Sequence, residues 1–135
     1  MSALALLLIV CAVVQVVVAV LNLFLVRMLG WQSDLERMSL LPRQVFHVHV
    51  CFISATLLIF GVLTLRFHEV MAAGANPVAA WLAGGIALFW GIRTVLQVTY
   101  YSASHWRGKA AETTAHVGLL VAYGTLTVCY GMAAI

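Results

Sequence analysis

Four long apolar runs restrict this chain more than any other feature of its sequence. They cover residues 3–26, 45–65, 78–101 and 113–134, and little remains beyond three connecting loops. A helix needs about 20 apolar residues to cross the hydrocarbon core of a bilayer. Because backbone polar groups cannot go unpaired in lipid, runs of this length without strand-like alternation predict four membrane-spanning helices.

The composition excludes soluble, disordered and disulfide-stapled secreted proteins. Of the 135 residues, 64% are hydrophobic and 8% are charged, whereas about a quarter of the residues in a soluble domain are charged. A small domain leaves much of its surface exposed, so a soluble fold of this size could not bury so much apolar surface. We therefore expect an all-α fold in which residues 1–135 form a single four-helix transmembrane bundle with up-down-up-down topology.

Local signals indicate where two of the helices begin. Asn76 stands directly before Pro77, and a capping side chain followed by a proline favours a helix start. Ser33 and Glu36 have the spacing of a capping box. Residues 33–41 are therefore predicted to form a short interfacial helix between the first two membrane-spanning helices.

Positively charged residues are distributed unequally between the two sides of the predicted membrane. One side carries Arg27, Arg37, Arg43, Arg107 and Lys109. The other side carries Arg66 alone outside the spans. Because positively charged loops stay in the cytoplasm, the loops 28–43 and 102–112 are predicted to be cytoplasmic and both termini to lie outside. In a bacterium the membrane would be the plasma, or inner, membrane.

The charge distribution also indicates the expected partners. Five of the seven basic residues lie on the predicted cytoplasmic side, whose loops are expected to contact anionic lipid headgroups. Other membrane proteins or further copies of the chain are additional expected partners. No stripe of basic residues interleaved with aromatic residues occurs outside the loops, so nucleic acid is not an expected partner.

Polar residues inside the spans are the candidates for function, because they are costly in lipid and normally face the protein interior. At about 100° per residue, each helix carries one polar stripe. The candidate residues on these stripes are Asn22, His47, Arg93, Gln97, Tyr100, Glu112, His116 and Tyr123. We expect the stripes to meet in the cytoplasmic half of the bundle, where the long Arg93 side chain can reach Glu112, in an ion pair, or Tyr123.

Three interpretations of this polar cluster are open. In the first, hydrogen bonds between helices hold the bundle together, and the protein is a subunit or an assembly or interaction protein that also binds a ligand. In the second, His47 and His116 are the axial ligands of a b-type haem, Arg93 neutralises a propionate, and the protein transfers electrons.

The third interpretation is a small membrane enzyme, or a binding site, for a lipid, a quinone or an isoprenoid. His47 or His116 would then act as a general base, and a tyrosine would act as a donor. The candidate ligand-binding residues are Gln97, Tyr100, Glu112, Tyr123 and Asn22. Neither an HExxH nor a CxxC motif is present, and no metal site is predicted.

Overall fold

The computed structural model describes residues 1–101 and 108–135, and these residues form six helices. Their bounds are α1 Ala3–Leu23, α2 Leu25–Met28, α3 Gln32–Arg37, α4 Leu40–Ala73, α5 Pro77–Thr99 and α6 Ala110–Ala134. Residues 102–107 belong to the predicted cytoplasmic loop 102–112, and this part of the loop, with Arg107, lies outside the described residues.

Four of the helices, α1, α4, α5 and α6, are long and apolar enough to cross a membrane. No strand occurs in the two ranges of residues that the structure describes. The predicted all-α class with four membrane-spanning helices is therefore confirmed. The chain is a small integral membrane protein, as its composition predicts.

Helix α4 is much longer than the span predicted at 45–65. It has 34 residues, and at 1.5 Å per residue it is about 51 Å long, which exceeds the thickness of a hydrocarbon core. Pro42 lies in its first turn, where a proline is tolerated, and no further proline follows within the helix. The helix ends before Gly74, whose φ of 66° is a left-handed conformation that favours glycine.

The short helix predicted at 33–41 is present as α3, but its bounds differ from the prediction. It ends at Arg37, because Met38 has an extended backbone with a ψ of 147°. The predicted capping box is wrong, since Trp31 is the N-cap residue and no side chain forms a capping hydrogen bond there. The last two residues of the predicted segment belong to α4 instead.

Helix α5 begins as the sequence predicts. The Asn76 side chain accepts hydrogen bonds from the backbone N–H groups of Val78 over 2.9 Å and of Ala79 over 3.2 Å. These bonds satisfy two of the N–H groups that every helix start leaves unpaired. Pro77 takes the first helical position, where its missing N–H is not needed. The cap therefore sets where α5 starts and, with it, which residues share each face.

The chain divides into two compact units. The first unit comprises Met1–Cys11 and Phe67–Ile135, and the second unit comprises Ala12–Arg66. Within the second unit, α1 and α4 approach closely at Gly61. A Cβ atom at this position would lie 2.8 Å from Val16 Cγ2 and 3.2 Å from the Ala12 carbonyl oxygen. A glycine is needed here because the two backbones leave no room for a side chain.

Within the first unit, α5 and α6 run antiparallel. Gly84 in the first half of α5 lies beside Ala134 at the end of α6, and Gly91 lies beside Thr127. The hydroxyl groups of Thr94 and Thr127 are 3.5 Å apart. This pairing brings the last turns of α5 next to the first turns of α6, where most of the predicted site residues are located.

Candidate functional site

Several of the predicted site residues come together where the end of α5 lies beside the start of α6. Arg93 and Gln97 are four positions apart on α5, so they share one face of the helix. His116 and Tyr123 on α6 contact this face. We call this group the arginine cluster, and its members are Trp90, Arg93, Gln97, Tyr101, His116 and Tyr123.

A chain of two hydrogen bonds joins three members of the cluster. Arg93 Nη1 donates to Gln97 Oε1 over 2.9 Å, and Gln97 Nε2 lies 3.0 Å from His116 Nδ1. Because a guanidinium group can only donate, the Gln97 oxygen must face Arg93 and the Gln97 nitrogen must face His116. Gln97 Nε2 therefore donates to His116 Nδ1, which must be unprotonated, and the neutral imidazole carries its proton on Nε2.

Aromatic rings contact the Arg93 guanidinium as well. Its Cζ atom lies 4.9 Å from the centroid of the Tyr123 ring and 5.6 Å from that of Tyr101. Both distances allow cation–π attraction, which is worth about 0.5–2 kcal/mol depending on desolvation. Trp90 stacks on Tyr123, with ring centroids 5.1 Å apart and planes inclined by 24°. The rings hold the charge in place without neutralising it.

The cluster is largely buried and carries a charge. Gln97 is 5% exposed and Tyr123 is 6% exposed, while Arg93 is partly buried. Arg93 precedes the end of α5 by about two turns, or about 9 Å. It is the one charged member of the cluster, because the glutamine, the aromatic residues and the neutral His116 carry no charge. The arrangement therefore presents a single positive charge within an apolar pair of helices.

Two predicted site residues of the first unit do not join the cluster. The predicted ion pair between Arg93 and Glu112 is wrong, because Glu112 is exposed and, in the described part of the chain, the guanidinium bonds to Gln97 and contacts the Tyr123 ring instead. Tyr100 is 78% exposed. Its N–H still bonds to the Leu96 carbonyl as in a helix, but Tyr101, four positions after Gln97, is the ring that contacts Arg93.

Trp90 and Tyr101 belong to the cluster but were not among the predicted site residues. Trp90 precedes Arg93 by three positions and Tyr101 follows Gln97 by four, so helical spacing alone places both near one face of α5. Because Tyr101 lies just beyond the helix end, the backbone path there decides that its ring, and not the ring of Tyr100, turns towards Arg93.

Asn22, which was predicted to join this site, makes its contacts within the second unit. Its amide nitrogen donates to the Ser54 hydroxyl over 2.9 Å and to the Val50 carbonyl over 3.2 Å. The buried residues of α4 around this contact are Ser54, Leu57, Gly61 and Thr64. His47 is exposed, although it lies almost two full turns before Ser54 and therefore on nearly the same side of α4.

The hydrogen bonding of His116 does not favour ligation of haem iron. A metal-binding histidine normally coordinates through one ring nitrogen and donates a hydrogen bond from the other. His116 Nδ1 instead accepts from Gln97, so the proton lies on Nε2, the nitrogen that would have to bind the iron. The b-type haem stays a prediction, and an absorption spectrum of the purified protein tests it.

Neither a metal centre nor a known relative accounts for the cluster. In residues 1–101 and 108–135, no three His, Cys, Asp or Glu side chains come together as a metal site would require. Comparison with known proteins gives no match among protein-family models, curated proteins or solved structures. Because a fold by itself does not imply a function, the function has to be argued from the residues of the cluster.

Proposed function

We propose that this protein binds the acidic headgroup of a membrane lipid at the arginine cluster. The observation that carries the proposal is the pairing of Arg93 with a neutral acceptor, Gln97 Oε1, at 2.9 Å. A charged residue within a membrane-spanning helix costs about 2.5–3.5 kcal/mol on insertion scales, and such residues usually have a function. An anionic ligand would compensate a charge that the other members of the cluster leave in place.

The chemistry of the guanidinium group indicates which ligand would suit the site. A guanidinium group has five N–H donors in a planar fork, and one of its nitrogens donates to Gln97. Such a fork binds the oxygens of a phosphate or carboxylate in pairs, which gives both affinity and orientation. Phosphate-containing headgroups and the carboxylates of fatty acids share this chemistry, and the experiment below separates them.

The position of the cluster suits a lipid headgroup better than a soluble anion. Arg93 lies about 9 Å from the end of α5, and a long arginine side chain can extend along a helix towards the interface. Basic sites between membrane-spanning helices are a recurrent way of binding anionic lipid headgroups. On the predicted topology this end of the helices faces the cytoplasm, where anionic lipids are concentrated.

Lipid binding agrees with the first interpretation of the sequence, a ligand-binding interaction protein. An acidic side chain of a partner protein would offer the same oxygens, and that outcome is distinguished by what purifies with the protein. The enzyme alternative has weaker support, because neither candidate tyrosine suits a donor beside His116. Tyr123 is almost fully buried between its ring contacts, and Tyr100 is exposed outside the cluster.

The test is a competition between lipids for the protein surface. The protein is reconstituted in phosphatidylcholine bilayers that contain increasing amounts of brominated phosphatidylglycerol, and quenching of tryptophan fluorescence reports binding. Trp90 lies in the cluster and serves as a nearby reporter. We expect Arg93→Gln to reduce the preference for phosphatidylglycerol by about tenfold or more, since a hydrogen bond to a charged group contributes about 1.5–3 kcal/mol.

Three comparisons make the result specific. Arg37→Gln removes an exposed arginine on α3 and should leave the preference unchanged. Arg93→Lys keeps the charge but loses the fork, so an intermediate effect is expected. Brominated oleic acid and inorganic phosphate replace the lipid in parallel titrations, to separate carboxylate, phosphodiester and soluble phosphate. Equal preference for phosphatidylglycerol in the wild type and in folded Arg93→Gln would overturn the proposal. It would also be overturned if Arg93→Gln lost a protein that purifies with the wild type while its lipid preference stayed the same.

A further inference from the structure

Gln97 occupies the position on α5 where an acidic residue would neutralise Arg93. The two residues are four positions apart, the spacing at which opposite charges on a helix pair with each other. The side chains are already in contact, with 2.9 Å between Arg93 Nη1 and Gln97 Oε1. Glutamine and glutamate have nearly the same shape, so the difference between them at this position is one negative charge.

We infer that Gln97 is a specificity-determining residue, which orients the Arg93 guanidinium while leaving its charge for an anionic headgroup. This inference rests on the proposed function. The glutamine oxygen accepts one hydrogen bond, and this restricts the guanidinium to one orientation beside the Tyr123 ring. A carboxylate at the same place would also orient the guanidinium, but it would neutralise the Arg93 charge, and an external phosphate would have to displace it.

Arg93 sets the direction of the Gln97 amide. An amide group can be turned over with little change in shape, but this would put its N–H₂ group against the donors of Arg93, so the oxygen stays on the arginine side. His116 Nδ1, 3.0 Å from Gln97 Nε2, accepts from the N–H₂ group that faces it. Gln97 is 5% exposed, so water competes little for either bond.

The experiment compares two substitutions of Gln97 in the bilayer assay with brominated phosphatidylglycerol. Gln97→Glu keeps the shape and an acceptor for Arg93, and it keeps the bond to His116 when the imidazole proton moves from Nε2 to Nδ1, so thermal unfolding should occur at about the wild-type temperature. Its preference for phosphatidylglycerol should nonetheless fall about tenfold or more. The introduced carboxylate attracts the Arg93 guanidinium strongly where the dielectric is low, and so competes with the lipid headgroup.

Gln97→Met provides the opposite combination. It has a similar length but removes both hydrogen bonds, so the unfolding temperature should fall. The Arg93 charge remains uncompensated, and only the hydrogen bond that orients the guanidinium is lost, so the lipid preference should fall less than in Gln97→Glu, by about threefold. Tyr100→Glu is the control for added negative charge, because it places a carboxylate at an exposed position near the same helix end, and its lipid preference should stay close to that of the wild type.

The outcomes separate this inference from the proposed function. If Arg93→Gln keeps the wild-type lipid preference, the proposed function fails, and the inference fails with it. If Arg93→Gln loses the preference but Gln97→Glu retains it, the headgroup site stands and the role assigned to Gln97 is wrong. Equal losses in Gln97→Glu and Tyr100→Glu would also overturn the inference, because general charge repulsion would then explain the effect.

Discussion

The two units of this protein accommodate polar side chains in different ways. In the second unit, Asn22 is neutral, and its amide nitrogen donates to Ser54 and to the Val50 carbonyl, so both of its N–H donors are used. In the first unit, Arg93 is charged, and its acceptor Gln97 is neutral. The first arrangement is a contact between neutral groups, whereas the second leaves a charge for a ligand. Charge balance, more than polarity, therefore separates the structural contact from the candidate site in this protein.

The largest expected effect tests the packing of the second unit. Gly61→Leu should lower the free energy of unfolding by about 3 kcal/mol, because the side chain has to enter a space already occupied by α1. Unfolding in mixed detergent and SDS, followed by circular dichroism, measures this change. Gly85→Leu is the matched control in the first unit, since no atom lies within 4 Å of a Cβ placed there. Similar losses in both variants would show that α1 and α4 do not depend on close approach at Gly61.

A smaller effect is expected when the aromatic support of Arg93 is removed. Tyr123→Leu should reduce the preference for phosphatidylglycerol about threefold, because it removes a cation–π contact worth about 0.5–2 kcal/mol. Tyr123→Phe keeps the ring at the same place and should behave like the wild type in the bromolipid assay. If the Leu and Phe variants lose the preference equally, the hydroxyl group matters and the ring does not.

The smallest effect is expected at the neutral contact. Ser54→Ala should lower the free energy of unfolding by about 0.6 kcal/mol, the average for a hydrogen bond between membrane-spanning helices. It should leave the lipid preference unchanged, because the contact carries no charge. Ser39→Ala, at an exposed position before α4, is the control for loss of a hydroxyl group. A change in lipid preference in Ser54→Ala would remove the distinction drawn between the two units.

Within regular helices, sequence spacing predicted much of the candidate site. Arg93 and Gln97 share a face, and so do His116 and Tyr123, because a helix repeats every 3.6 residues regardless of its neighbours. The prediction failed for Tyr100, because spacing at the end of α5 allows either of two adjacent rings to face Arg93, and the structure turns Tyr101 towards it. It also failed for Glu112. A carboxylate near the start of a helix keeps its hydration when it stays exposed, whereas pairing inside the protein costs the free energy of removing the charge from water.

The sequence by itself determined the class of this protein and the faces of its helices. Apolar runs long enough to cross a bilayer leave helices as the structure that pairs every backbone group, and this follows from local chemistry alone. Tertiary structure decided which faces meet. It placed Asn22 against Ser54 in one unit and Gln97 between Arg93 and His116 in the other. The physical reason is that hydrogen bonds between helices depend on distances of a few ångströms, which are set by packing at small residues and by helix ends rather than by residue spacing.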